Sequence, residues 1–418
     1  MIMQTSTKKF FRDAFLYMAA TMMTPALGVI LIPVFTNQLT PAEYGIMTTV
    51  HALVGFLQLF MVLSLHGAIT RLYYDFSKKE QQKAYLGSIL LFVTGFAVVV
   101  SLLLLLSQKW IAPLLFKSIP HEPYYAYLIV LSFLMAWQSI PATILRIKER
   151  ARTYFVIYSV KSVLVLLLTL VFLYWGGLGA ASYLLAMGIA GAVTLILFLW
   201  SIRKDVSFSF SKPFVSMSLA FSLPLLPHVL SNWVITTSDR VLLEKFISLD
   251  TIGVYALAVQ MAMVVRMVFM SVNSAFVPKY NQLSASSNHR EASRLLRIFL
   301  YLILAGGLVG WGGGYLFLEL VGASGYQEAT RFVGVLIGAE VIFGLNYLLI
   351  AKLSFMKKTG KLSISSSAAA VINVLINLSL IPVIGVWGAV VSTYLAEIAR
   401  TMLNVIWTKR LHHRRGFD

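Results

Sequence analysis

Arg266, Glu340, Glu397 and Lys161 are the residues on which chemistry could turn, because each is a charge set inside a long apolar stretch. Arg266 lies 16 residues past Asp250 and 13 before Lys279. At about 1.5 Å per residue it would sit roughly 20 Å from either end of a helix, beyond the reach of a snorkelling side chain. A guanidinium at that depth is costly unless it faces a wet cavity or a partner. Two readings stand for it: a ligand for an anion, through paired donors, or one half of an interhelical ion pair. Glu340 has no close basic neighbour between Arg331 and Lys352. It must be protonated, meet Arg266 or another cation across the bundle, or bind a coupling ion. Glu397 has Arg400 three residues on, on the same helical face, which reads as an intrahelical pair or as a second ion-coupling group. Lys161 follows Tyr154 and Tyr158 on one face, where it serves either packing or substrate.

A second set is polar without being deeply charged. His228, Asn232, Thr236 and Asp239 run along one helix behind Pro224 and Pro227. They would line a watery lumen, with His228 and Asn232 as substrate contacts, unless Asp239 and Arg240 simply mark the outer interface. His51 with Gln58, and Asn373 with Asn377, are spaced to bond helix to helix. Gly306, Gly310 and Gly314 form a small-residue ridge for packing, as do Gly334 and Gly338. The glycine-rich "GWGGGY" lacks the Gly-Lys-Ser/Thr ending of a phosphate loop. No metal-binding histidine spacing, nucleophile motif or outer carboxylate pair is present, so neither an enzyme nor a metal or other cofactor is expected.

The elements that must position these residues follow from composition. Hydrophobic residues make up 59% of the 418 and charged ones 12%, more apolar surface than a dispersed soluble chain could hide. Absence of cysteine excludes disulfides and thiol chemistry. Twelve apolar segments are long enough to span a bilayer as helices, centred on 14–38, 45–68, 85–107, 124–145, 153–174, 178–201, 214–238, 251–278, 295–319, 331–351, 362–382 and 386–408. The first reads as an uncleaved span. With the N-terminus inside, 27 of the 34 Lys and Arg fall on the cytoplasmic side and 5 on the outer side. That asymmetry is the positive-inside signature, so the net charge of +18 reports topology and headgroup attraction. Nucleic acid is not expected as a partner.

The halves repeat weakly. Ala14-Phe15 matches Ala220-Phe221 at an offset of 206, and Tyr73 and Ser77 match Tyr280 and Ser284 at 207. Pro25 and Pro33 interrupt the first span as Pro224 and Pro227 interrupt the seventh, a pattern that points to a transporter's central site. The expected fold is an all-α polytopic membrane protein with two six-helix lobes, 1–206 and 207–418.

Two stretches carry a family likeness: "PVFTNQLTPAEYGIMTTVHALVGFLQLFMVLSLHGAITRLYYDF" and "LPLLPHVLSNWVITTSDRVLLEKFISLDTIGVYALAVQ". In Asn-x-Leu, Glu-Tyr-Gly, Arg-x-Tyr-Tyr, Ser-Asp-Arg and Gly-x-Tyr the chain resembles the Wzx-type polysaccharide flippases. These belong to the multidrug/oligosaccharidyl-lipid/polysaccharide (MOP) exporter superfamily. The resemblance implies twelve helices in two lobes around a central cavity, both termini cytoplasmic, in a bacterial inner membrane. It implies as substrate an oligosaccharide repeat unit on undecaprenyl diphosphate, moved to the periplasmic leaflet, with H⁺ or Na⁺ as coupling ion. Membrane lipids and polysaccharide-assembly membrane proteins would be its neighbours. A buried Arg266 suits a diphosphate. A cation-coupled multidrug antiporter of the same superfamily is the alternative, and a polytopic glycan polymerase or glycosyltransferase a more distant one.

Overall fold

The computed structural model describes residues 2–286, 288–321, 324–356 and 358–413, and all regular structure among them is helical. Twelve long helices follow the order of the apolar segments. They are α1 (Ile2–Ile30, continued by Ile32–Gln38), α2 (Pro41–Val62), α3 (Lys79–Leu106), α4 (Tyr124–Ile147), α5 (Ala151–Tyr174) and α6 (Ala181–Ile202). After these come α7 (Lys212–Leu243), α8 (Leu249–Ala285), α9 (His289–Val321), α10 (Ala329–Phe355), α11 (Thr359–Ile384) and α12 (Val386–His413). Eleven are long and apolar enough to cross a membrane. In α12 the apolar run is interrupted by Glu397 and Arg400.

Local chemistry fixes several ends. At the start of α2, Thr40 and Glu43 form a reciprocal capping box: the Thr40 N–H donates to the Glu43 carboxylate at 2.9 Å, and the Glu43 N–H to the Thr40 hydroxyl at 3.3 Å. Pro41 takes the first helical position, where its missing N–H is no loss. Ser248 caps α8 by accepting the Thr251 N–H. Both proline-interrupted spans do break. α1 is interrupted at Leu31, just before Pro33. In α7 the α-helix stops at Ser222, tightens to a 3-10 turn over Leu223–Leu225, and resumes at Leu226, since each proline removes a helical hydrogen bond. The second segment ends earlier than expected. Leu63 and Ser64 adopt left-handed φ values of 51° and 58° and separate α2 from a short helix over Leu65–Leu72.

By internal contacts the chain forms two compact units. One holds residues up to Leu31 together with Ile46–Leu230, the other Ile32–Gly45 together with residues from Ser231 onward. The lobe boundary expected at 206/207 lies in the segment between α6 and α7. The first unit is built on a core that includes Tyr85, Trp137, Tyr154 and Phe198. In the second, the Gly306–Gly310–Gly314 ridge of α9 meets Phe269, Val265 and Met261 of α8, one turn apart along that helix. The packing role expected of those glycines is what the structure gives them.

The start of α2 belongs to the second unit and packs within it by backbone approach. A Cβ on Gly253 would lie 1.8 Å from the Pro41 carbonyl oxygen, and one on Gly45 would lie 2.4 Å from that of Leu249. The Tyr326 hydroxyl closes the crossing by donating to the Leu39 and Thr40 carbonyls at 3.1 and 3.0 Å. No side chain fits at Gly253 without separating the helices. Gly253→Leu is therefore expected to cost more than the about 1–3 kcal/mol of ordinary overpacking and to abolish membrane accumulation. Gly312→Ala, with nothing within 4 Å of its Cβ, should leave abundance and melting temperature unchanged.

Candidate functional site

The second unit gathers the charges that the apolar sequence isolates. α8 runs for 37 residues and carries Arg266 at its middle. The Nε of Arg266 donates to Glu340 of α10 at 2.6 Å, with 14% and 10% of the two side chains exposed. On α12, Arg400 donates to Glu397, and both are almost wholly buried. Phe343, three residues after Glu340, joins the pairs: its ring centre lies 4.3 Å from the Arg266 guanidinium carbon and 5.0 Å from that of Arg400. Cation–π contact of this kind strengthens when desolvated. Two arginines and two glutamates thus form a neutral four-charge cluster around one aromatic ring. Neutrality is what lets the cluster sit inside apolar helices, because an uncompensated charge there would be far more costly.

Next to it lies a small cavity of about 30 Å³, lined among others by Thr236, Asp239, Tyr255, Arg266, Glu340 and Thr393. That is room for a water or two. Asp239 accepts a hydrogen bond from the Tyr255 hydroxyl and another, at 2.8 Å, from the Arg240 N–H. Asp239 and Arg240 are both 7% exposed, packed within the protein. The α8 phenol supplies the partner that makes burial of Asp239 tolerable.

The other sequence candidates are placed differently. Lys161 belongs to the first unit, where its ammonium donates to the Gln138 side-chain oxygen at 2.8 Å, while the Gln138 amide donates to the Gly191 carbonyl, also at 2.8 Å. This bond links α5 to α4. His228 is half-buried in the first unit, and Asn232 is exposed at the start of the second unit's share of α7. Neither lines the cavity beside Arg266. Asn373 and Asn377 bond to one another and to Ser392, all buried. Phe343 is not among the sequence candidates, and Tyr255 enters there only as the tyrosine of the Gly-x-Tyr motif. Phe343 falls one turn from Glu340, a spacing that could have flagged it. The Gly-x-Tyr motif carries no signal that Tyr255 would face Asp239.

The fold is shared with solved transporters. It is similar to an inward-facing multidrug resistance MATE family transporter of the MOP superfamily, at 15% identity and a TM-score of 0.76, over 95% of this chain and 99% of that one. It is similar to lipid II flippase MurJ in an inward closed conformation, at 14% identity and 0.77, over 93% and 86%. The Vibrio cholerae MATE transporter VcmN in its bent form gives 14% and 0.57 over 98% of each chain. At such identities the likeness establishes the fold alone: the protein is an all-helical, multi-pass membrane protein with the fold of these transporters. A profile for the polysaccharide biosynthesis protein family matches residues 10–284, and the chain belongs to that family. Protein 1 of the Lsg locus of Haemophilus influenzae (strain Rd) is 22% identical over 281 residues, 65% of this chain and 66%, just under two thirds, of that relative's length. The resemblance borne by the two motif-rich stretches is thereby upheld.

Proposed function

We propose that the protein flips undecaprenyl-diphosphate-linked oligosaccharide repeat units from the cytoplasmic to the periplasmic leaflet, by alternating access coupled to an ion gradient. Membership of the polysaccharide biosynthesis family on a MOP transporter fold carries the reading. The chemistry of the cluster gives it a mechanism. At rest Glu340 occupies Arg266. Protonation or ion binding at Glu340 releases the guanidinium, which then offers paired donors to the diphosphate. Loss of that proton or ion restores the Arg266–Glu340 pair and expels the anion, so ion and anion cross in the same direction, the membrane potential driving their net negative charge outward. Binding of substrate and of coupling ion are thus linked through one arginine, and each favours the same state. Glu397 and Arg400 hold the surrounding charge in balance, with Glu397 as a second ion-coupling candidate.

A cation-coupled multidrug antiporter is the second reading, favoured by the fold likeness to MATE transporters. Deletion of the gene separates the two. Loss of surface polysaccharide, restored by a plasmid copy, is expected for the flippase. Unchanged polysaccharide with heightened drug sensitivity would overturn it.

The proposed topology places both termini and the Lys352–Lys361 segment in the cytoplasm, within a bacterial inner membrane. Phosphatase fused after Lys361 should be inactive and a fluorescent protein fused there bright. Active phosphatase at that position would reverse the orientation.

A further inference from the structure

The buried polar side of α12 extends well beyond the charge cluster. Glu397, Arg400, Thr401, Asn404 and Thr408 recur at helical spacing on it, and the Asn404 amide donates to Asn346 of α10 at 2.8 Å. Asn346, Glu397, Arg400, Asn404 and Thr408 are all at least nine-tenths buried. Yet among the described residues five of their neighbouring polar atoms lack a hydrogen-bond partner: Glu397 Oε1, Arg400 Nε, Thr401 Oγ1, Asn404 Oδ1 and Asn346 Nδ2. Each unmet buried polar atom forfeits its hydration, and five along one seam would cancel a large share of a fold's narrow stability margin. Buried polar groups in this position hold ordered water. The two carboxamides cannot satisfy one another, since their single bond already leaves one oxygen and one amide nitrogen over. From Thr408 to Glu397 the seam covers about 16 Å. It begins beside the exposed Lys409 and Arg410 near the end of α12.

We infer that a file of water runs between α12 and α10 from Thr408 to Glu397 and carries protons between the C-terminal end of α12 and the four-charge cluster. This rests on the ion-coupling reading above, and it selects the proton as the coupling ion. The groups facing the file are Glu397 and Arg400 of α12, Glu340 and Tyr347 of α10, and Arg266 of α8. On the α11 side Lys361 lies over the Trp407 ring at 5.5 Å. Proton relay needs no covalent step: one water gives a proton to the next, and a carboxylate oxygen is the terminal acceptor.

The chain has no cysteine, so a thiol placed on the seam is the sole site whose capture by silver ion, a cation of about water size, blocks maleimide. Thr401→Cys and Asn404→Cys are to be compared with Ala396→Cys, whose site is wholly buried against Ile235, Ala369 and Ala370. Silver uptake by the intact protein in vesicles is read as protection from maleimide after unfolding. Both seam thiols should react about tenfold or more faster than the apolar-site thiol, and adding Asn346→Leu to Thr401→Cys should slow it again. Equal rates at Thr401 and Ala396 would overturn the inference whatever the transport results. Asn346→Leu with Asn404→Leu should also slow proton-driven transport about tenfold at normal membrane abundance. Full-rate transport by that pair would overturn proton conduction while leaving the role of Glu340, tested by Glu340→Gln, to stand or fall separately.

Discussion

Arg266→Ala is expected to reduce lipid-linked oligosaccharide transport on the order of 100-fold, the loss that follows from removing charge-assisted donors to a diphosphate. Arg266→Lys should recover part of it, since an ammonium supplies charge without the planar fork. The single change also strands Glu340 beside apolar helices. Stability should fall by up to about 3–5 kcal/mol unless the carboxyl takes up a proton. The variant Arg266→Ala/Glu340→Gln separates the two effects. It removes both charges, so membrane abundance and melting temperature should return to wild-type values while transport stays lost. Recovery of transport in the double variant would show that Arg266 serves only the Glu340 pair. Glu340→Gln alone should fold and insert, bind substrate without regard to pH, and lose gradient-driven movement.

The second large effect is at the other pair. Glu397 and Arg400 have side chains only 1% and 5% exposed, so neither can turn to bulk solvent when its partner is removed. Glu397→Leu is expected to destabilise the protein by about 3–5 kcal/mol, and Arg400→Leu by a similar amount. Replacing both by leucine deletes two desolvated charges at once and should restore stability to near the wild-type value or above. Thermal unfolding of the purified variants in detergent decides it. A double variant as unstable as either single one would mean that these residues have further essential partners in the unit.

Much of this was legible in the sequence because membrane helices announce themselves. Twelve apolar runs and two proline-interrupted spans correspond to the twelve long helices and the two helix breaks. The isolation of Arg266 and Glu340 in separate apolar stretches predicts that each needs a partner, and across 74 residues they find each other. Spacing also foretells the Glu397–Arg400 pair. What the sequence hides are properties of packing between helices. Phe343 becomes a shared platform only when α8, α10 and α12 are brought together. The helix end at Leu63–Ser64 depends on left-handed residues that are not glycine. Asp239 reads as interfacial because its charge adjoins Arg240, and only the facing Tyr255 shows how it is accommodated. Lys161 and Arg266 look alike as lone intramembrane cations, yet one meets a neutral glutamine and the other a carboxylate.

The most direct test is movement of the lipid itself. The purified protein, reconstituted in vesicles with undecaprenyl-diphosphate-linked oligosaccharide, is given a proton gradient, and the share of saccharide exposed on each leaflet is followed with an impermeant saccharide-modifying reagent. The account predicts gradient-dependent transfer by the wild-type protein and none by Arg266→Ala. Absence of lipid-linked saccharide transfer by a folded wild-type protein that exchanges organic cations for protons in the same vesicles would contradict it.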